Sequence, residues 1–162
     1  MARAMSDTPR LRRYRDSALY RSLTRLLRTY NRRLVEALHA RGFEDFSAAF
    51  PPLLSNLDTA GSHIGTLARR AGVTRQAAGQ LLREIERCGY VERLDSPHDT
   101  RATMVRFTPR GRRLLANVLE LVEALDTECA AIIGATAMAE SRDRLFALAE
   151  HLDPGGALTG GE

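Results

Sequence analysis

The feature that most constrains this 162-residue chain is a segment in which two helical patterns run directly into two strand-like ones. Residues 63–89, HIGTLARRAGVTRQAAGQLLREIERCG, contain two helical runs separated by Gly72, Val73 and Thr74. Residues 90–107 follow with two runs rich in Val, Tyr, Met and Phe around the polar sequence SPHDTR, the pattern of a β-hairpin with a long charged tip. Few folds contain a helix pair that is followed directly by a β-hairpin.

The helix pair has the residues of a tight helix-turn-helix. Ala68 is the small residue where the helices touch, Gly72 can end the first helix with a positive φ, and Thr74 can cap the second. A buried stripe is predicted for the apolar residues of the second run: Val73, Ala77, Ala78, Leu81, Leu82 and Ile85. The outward face that remains gives the predicted DNA-binding residues: Thr74, Arg75, Gln76, Gly79, Gln80 and Arg83.

The residue types on this outward face suit a DNA major groove. Arg, Gln and Thr side chains form hydrogen bonds with base edges and phosphates. Gly79 lowers helix stability by about 1 kcal/mol relative to Ala, and a residue without a side chain lets a helix approach DNA closely. The alternatives are an ordinary solvated helix face and a glycine that is there for packing.

The hairpin turns the helix pair into a predicted winged helix. Its strands are expected at Val91–Leu94 and Thr103–Phe107, with the tip reaching toward the neighbouring minor groove. A narrow minor groove attracts an inserted Arg, so Arg101 is the predicted contact. Asp99 can hold that guanidinium by charge-assisted hydrogen bonds; otherwise the two form an exposed ion pair worth about 0–1 kcal/mol.

The flanks of the winged segment have helical periodicity. A long helix is predicted over residues 11–40, a short one beginning near Pro51, another beginning at Thr108-Pro109, and a last one over 137–152. The third of these carries a coiled-coil-like seam: Leu115, Val118, Val122, Leu125, Cys129 and Ile132. The predicted fold class is therefore mostly α with a small β-hairpin (α+β).

The charge is distributed unevenly along the chain, and every basic residue is Arg. Residues 1–59 carry 11 Arg and 6 acidic residues, and residues 60–113 carry 11 and 5, whereas residues 114–162 carry 2 and 9. A basic first two-thirds is suited to a polyanion. The alternative is that these charges are solvated helix faces.

Several functional classes are excluded by what the sequence lacks. No run of eighteen apolar residues occurs, so no membrane partner is expected, and only two cysteines are present, so a disulfide scaffold is excluded and a cytoplasmic location is expected. No nucleophile array, phosphate loop or metal-ligand spacing occurs, so we expect no enzyme, no cofactor and no metal.

The segment from Leu53 to Leu115 resembles the MarR family of bacterial winged-helix regulators. The resemblance is carried by Leu67-Ala68, Gly72-Val73-Thr74-Arg75, Ile85-Glu86, Gly89-Tyr90-Val91, Asp99-Thr100-Arg101, and Phe107-Thr108 with Gly111. It implies a homodimer that binds double-stranded DNA at a pseudo-palindromic operator, commonly as a repressor. It also implies release by a small, often aromatic effector where the dimerisation helices meet the winged domain, with candidate lining residues Tyr14, Tyr30, Phe46 and Phe50; plain core packing is the alternative for each.

The resemblance also implies a division of the chain. Residues 1–45 would form an N-terminal arm and dimerisation helix, 46–112 the winged helix-turn-helix and 113–153 the C-terminal dimerisation helices. The composition of residues 154–162 predicts a disordered tail. The rival interpretation is a winged-helix protein-interaction module without sequence-specific DNA binding.

Overall fold

The computed structural model describes residues 18–94 and 103–152. Its elements, in chain order, are α1 Leu19–Ala40, α2 Pro51–Leu54, β1 Ser62–His63, α3 Ile64–Arg70, α4 Arg75–Arg87, β2 Val91–Leu94, β3 Met104–Phe107, α5 Pro109–Ile133 and α6 Ala135–Leu152. The predicted fold class, mostly helical with a small antiparallel sheet, is confirmed. The predicted tail and the start of the predicted first helix lie outside the described residues.

The sheet contains the predicted hairpin and one strand more. Strands β2 and β3 pair antiparallel, with Val91 opposite Phe107 and Leu94 opposite Met104. Strand β1 lies on the other side of β3, so the order in the sheet is β1-β3-β2. It consists of Ser62 and His63 alone, and the sequence did not predict it.

Two helices begin at the residues that the sequence predicts. The Thr108 hydroxyl accepts a hydrogen bond from the Gly111 N–H at 3.0 Å, and Pro109 occupies the first turn of α5. The Thr74 hydroxyl likewise accepts from the Ala77 N–H at 3.1 Å at the start of α4. Each cap satisfies a backbone donor that has no partner within its own helix.

The core lies between the C-terminal half of α1, the helices α2 to α4, the sheet and the first turns of α5. Its most deeply buried side chains are Leu38, Leu53, Leu67, Leu82, Ile85, Tyr90, Val91, Val105 and Leu114. In contrast, α6 buries none of its residues. The boundaries between the predicted domains at 45/46 and 112/113 stay a prediction, and the core takes Leu34 and Leu38 from the N-terminal side of the first boundary.

The predicted buried stripe of α4 is partly wrong. Ala78, Leu82 and Ile85 are buried, but Ala77 is exposed and Val73 is 41% exposed. Successive residues of an α-helix are about 100° apart around its axis, so Ala77 leaves the core face that Ala78 occupies. Val73 precedes the helix, in the turn, where its side chain meets solvent.

Candidate nucleic-acid interface

The turn between α3 and α4 fixes the direction in which α4 leaves the core. Gly72 has a φ of +65°, a backbone conformation that glycine adopts without the steric penalty of a side chain. The N–H of Val73 then donates to the carbonyl of Ala68 at 3.0 Å and closes the end of α3. Ala68 and Ala78 are 4% and 0% exposed, so small side chains allow the close packing that the sequence predicts.

The outer face of α4 brings the predicted DNA-binding residues of the helix-turn-helix together. Most are exposed to solvent: Thr74, Arg75, Gln76, Gln80 and Arg83. Gly79 lies among them, half-buried, and a Cβ built on it would meet only the Arg83 guanidinium, at 4.0 Å. The outer face of α4 therefore carries polar and basic side chains around Gly79, which itself has no side chain.

Arg93, a residue of β2, contacts α4 at two points. The sequence did not predict this role. Its Nη2 donates to the carbonyl of Gly79 at 3.2 Å. Its Nε lies 3.1 Å from Oε2 of Glu86, an ion pair without the alignment of a hydrogen bond. Strand β2 thus holds α4 at its middle and near its C-terminal end. The signal that could have found it is a basic residue in a strand directly after the second helix.

The base of the hairpin is held by an ion pair across its two strands. Glu92 and Arg106 face each other in the register of β2 and β3, and Nε of Arg106 lies 2.7 Å from Oε1 of Glu92. Both side chains are about half exposed, so this cross-strand pair adds only about 0.2–1 kcal/mol. The predicted contacts at the hairpin tip, Asp99 and Arg101, lie outside the described residues.

Two of the candidate effector residues lie together in an aromatic cluster. Phe46 and Phe50 are 3% and 2% exposed, and their rings meet edge to face with centroids 5.7 Å apart. Both also contact the ring of Tyr90. Phe46 in addition borders an apolar cavity of about 70 Å³ between α1, α2, β3 and α5, whose other walls include Leu34 and Leu115.

Of the other two candidates, Tyr30 lies outside that cluster. Tyr30 is a residue of α1 whose side chain reaches α5. Its hydroxyl donates to Asp126 at 2.8 Å and lies 3.3 Å from Sγ of Cys129. Burial, together with these two partners, raises the pKa of Tyr30 above its ordinary value, so the side chain is a neutral donor at neutral pH. Tyr14 lies outside the described residues.

The described residues offer little for redox or metal chemistry. Burial, reinforced by the nearby Asp45 carboxylate, raises the pKa of the Cys88 thiol, the opposite of what activates a cysteine. Within 18–94 and 103–152, no group of three His, Cys, Asp or Glu side chains is placed to hold a metal ion. No helix in that part of the chain is both long and apolar enough to cross a membrane.

Part of this arrangement is similar to a known protein family. The model of the MarR family matches residues 51–102, from α2 into the hairpin tip. A cysteine-to-serine variant of MarR from E. coli, solved with operator DNA, is 25% identical and has a TM-score of 0.67; the match covers 84% of this chain and 96% of that one. The winged-helix segment of the chain, residues 51–102, is therefore similar to the MarR family. Wild-type MarR from E. coli without DNA has 26% identity and a TM-score of 0.62, over 80% of this chain and 96% of that one.

Two further proteins are similar to this chain. The uncharacterized protein Rv2011c from Mycobacterium tuberculosis is 29% identical over 114 residues, which cover 70% of this chain and 78% of that protein. NadR, solved with 4-hydroxyphenylacetate, is 21% identical with a TM-score of 0.61, over 80% of this chain and 88% of that one. At that identity the likeness to NadR establishes the fold alone.

Proposed function

We propose that this chain is a sequence-specific DNA-binding transcriptional regulator, acting as a dimeric repressor that a small effector releases. The observation that carries the proposal is the outer face of α4, where exposed Arg and Gln side chains surround a glycine on an otherwise well-packed helix. The E. coli MarR variant that was solved with operator DNA supports the same use of the fold. We propose no catalytic role, and a cytoplasmic location where such a regulator meets its DNA.

The proposed contacts divide by chemistry. Gln76 and Gln80 are suited to hydrogen bonds with base edges, while Arg75 and Arg83 are suited to guanine or phosphate. Thr74 lies at the N-terminal end of α4, where the helix dipole favours a phosphate. Asp99 and Arg101 keep the role that the sequence predicts for them, an arginine placed in the minor groove by its acidic neighbour.

Replacing Gln80 by Ala tests base recognition by α4. We expect the variant to lose discrimination at one base pair of each half-site, at a cost of roughly 1–3 kcal/mol for that position. The measurement is selection of bound DNA from a random pool, followed by titration of single-base operator variants. Weakening of all sequences by the same factor would mean that Gln80 contacts the backbone and reads no base. Failure of the unmodified protein to select any sequence would favour the rival function, a protein-interaction module.

A second copy of the chain is the proposed partner of the projecting helices. The first half of α1, the end of α5 and all of α6 expose large apolar side chains: Leu19, Tyr20, Leu23, Leu26, Leu27, Ile132, Ile133, Leu145, Phe146, Leu148 and Leu152. Isolated helices of this kind are not stable in water without a packing surface. The acidic C-terminal third and the Arg-rich α1 carry opposite charges, and within one copy Arg33 of α1 already pairs with Glu128 of α5 at 2.7 Å.

Dimerisation can be measured directly. We expect sedimentation at micromolar concentration to give twice the 18.0 kDa mass of the chain. Changing Phe146 and Leu148 to Asp together should produce monomers, because each buried large apolar side chain contributes roughly 1.5–3 kcal/mol. Changing the exposed Ala147 and Ala149 to Asp together is the matched control, since it adds the same two charges to α6 with little loss of apolar surface. A monomeric unmodified protein would contradict the proposal.

The effector site belongs to the same proposal. NadR was solved with 4-hydroxyphenylacetate, which supports a small aromatic acid as the class of ligand. The cavity beside Phe46, about 70 Å³, is smaller than the roughly 300–1,000 Å³ of ordinary ligand pockets. Binding there requires α2 to move away from α5, and such a movement would carry the helix-turn-helix with it.

A further inference from the structure

The guanidinium of Arg110 connects three separate parts of the chain. Its Nη1 donates to the carbonyl of Cys88 at 2.6 Å, and its Nη2 donates to Oδ1 of Asp45 at 2.9 Å. Its central carbon lies 4.8 Å from the centre of the Tyr90 ring, a cation–π contact. The Tyr90 hydroxyl donates to the same carboxylate oxygen of Asp45. One planar group therefore joins the first turn of α5, the end of α4 and the segment after α1.

The contacts of Arg110 lie at the end of α4 and just after α1, where they can fix the directions of these helices. Cys88 is the C-cap of α4, so its carbonyl belongs to the unpaired, partly negative end of that helix, which a cation stabilises. Asp45 follows α1 and has no helix of its own to fix it. Because the donors of a guanidinium have a rigid, planar arrangement, the two acceptors are held at a set separation.

The charges of this network favour a positioning role over a stabilising one. The side chains of Arg110 and Asp45 are each 38% exposed, and ion pairs with that exposure contribute little to stability. Burial alone would raise the pKa of Asp45, but the hydrogen bond from Tyr90 and the charge of Arg110 outweigh it and lower the pKa, so the carboxylate is ionised at neutral pH.

We propose that Asp45, Tyr90 and Arg110 form a latch that sets the angle of α4 relative to α1, and with it the half-site spacing that the dimer recognises. This inference rests on the proposed function. The 13 residues of α4 span about 20 Å, so a tilt of ~10° at the latched end moves the other end by about 3 Å. Arg75 and Gln76 lie at that far end, so such a tilt changes the separation between the base-reading ends of the two α4 helices in a dimer.

The test compares Arg110→Lys with Arg112→Lys. Lysine keeps the charge of Arg110 but cannot hold two acceptors at a fixed separation. Arg112 lies two residues further along α5 and donates to the Phe107 carbonyl at 3.0 Å, a contact that involves neither α4 nor α1, so its replacement is the matched control. Tyr90→Phe, which removes only the hydroxyl, serves as a second latch variant.

The measured quantities are binding to a duplex with one half-site and binding to a series of duplexes with two half-sites at different spacings. We expect both latch variants to bind the single half-site as the unmodified protein does. Their preference for the best spacing over its neighbours should fall by roughly 5- to 150-fold, the usual range for coupling between two sites. Arg112→Lys should keep the unmodified spacing profile.

The outcomes separate this inference from the function on which it rests. No spacing preference in the unmodified protein would overturn both. A normal preference that survives in Arg110→Lys and Tyr90→Phe would overturn the latch alone. Equal losses at the single half-site and at every spacing would assign the network a structural role and would also overturn it.

Discussion

Replacing Gly111 by Ala is expected to destabilise the protein by roughly 3 kcal/mol or more. A Cβ at this position would lie 1.8 Å from the carbonyl oxygen of Tyr90 and 3.1 Å from the Phe107 ring. The obstacle is backbone, so no rotamer change relieves it, and the start of α5 must move away from β2. That movement also pulls Thr108 from Tyr90, whose carbonyl accepts the Thr108 N–H at 3.1 Å.

Denaturant unfolding at a fixed protein concentration is the appropriate measurement, because the stability of a dimer depends on concentration. Gly65→Ala is the matched control: Gly65 lies on the exposed side of α3 with nothing within 4 Å of the added Cβ. That variant should gain up to about 1 kcal/mol from helix propensity. If Gly111→Ala is as stable as the control, the contact between α5 and the Tyr90 peptide is not needed for folding.

The parts of the fold that sequence predicts well are set by local chemistry. The strand Val91–Leu94 and the start of α5 at Pro109 agree with the structure, and the cap at Thr74 was located to the residue. Each depends on residues within one or two turns of one another: a run of strand-forming side chains, a hydroxyl before a proline, a hydroxyl before a helix. Such signals survive in a single sequence because they need no knowledge of distant neighbours.

What the sequence did not predict depends on distant partners. Strand β1 has two residues and is defined by its pairing with β3, Ser62 with Val105 and His63 with Met104, and both partners lie far along the chain. The contacts of Arg110 with Asp45 and of Arg93 with Gly79 likewise join separate elements. Periodicity reports which face of an element is apolar, but not which element packs against that face.

The errors in the α4 stripe have a related cause. Val73 and Ala77 are apolar, and the sequence assigned them to the core for that reason. Apolar residues are nevertheless common on protein surfaces, and the small side chain of Ala77 loses little by being exposed. The predicted binding residues of the same helix lie together on one face, and replacing Gly79 tests whether DNA occupies that face.

Replacing Gly79 by Leu should stabilise the fold and weaken operator binding. Leucine favours the helix over glycine by roughly 0.5–1 kcal/mol, and a Cβ at Gly79 would meet only the Arg83 guanidinium, at 4.0 Å. In the proposed complex the space beside Gly79 is filled by the major groove. The added side chain should therefore weaken operator binding by roughly 2–6 kcal/mol per dimer, taking about 1–3 kcal/mol for a disrupted contact at each of two half-sites.

Gly79→Leu is expected to raise stability and to lower operator affinity. Misfolding would not explain that result, because the variant that binds less well is the more stable one. Unfolding and operator titration should be measured on the same preparations, beside Gly65→Leu, which adds the same side chain to an exposed site on α3. Gly65→Leu should gain similar stability and keep its affinity for the operator. Equal losses in both variants would mean that bulk anywhere on the helix pair blocks DNA. Undiminished binding by Gly79→Leu would exclude the outer face of α4 from the groove, because no duplex can approach a helix at Gly79 and leave room there for a leucine.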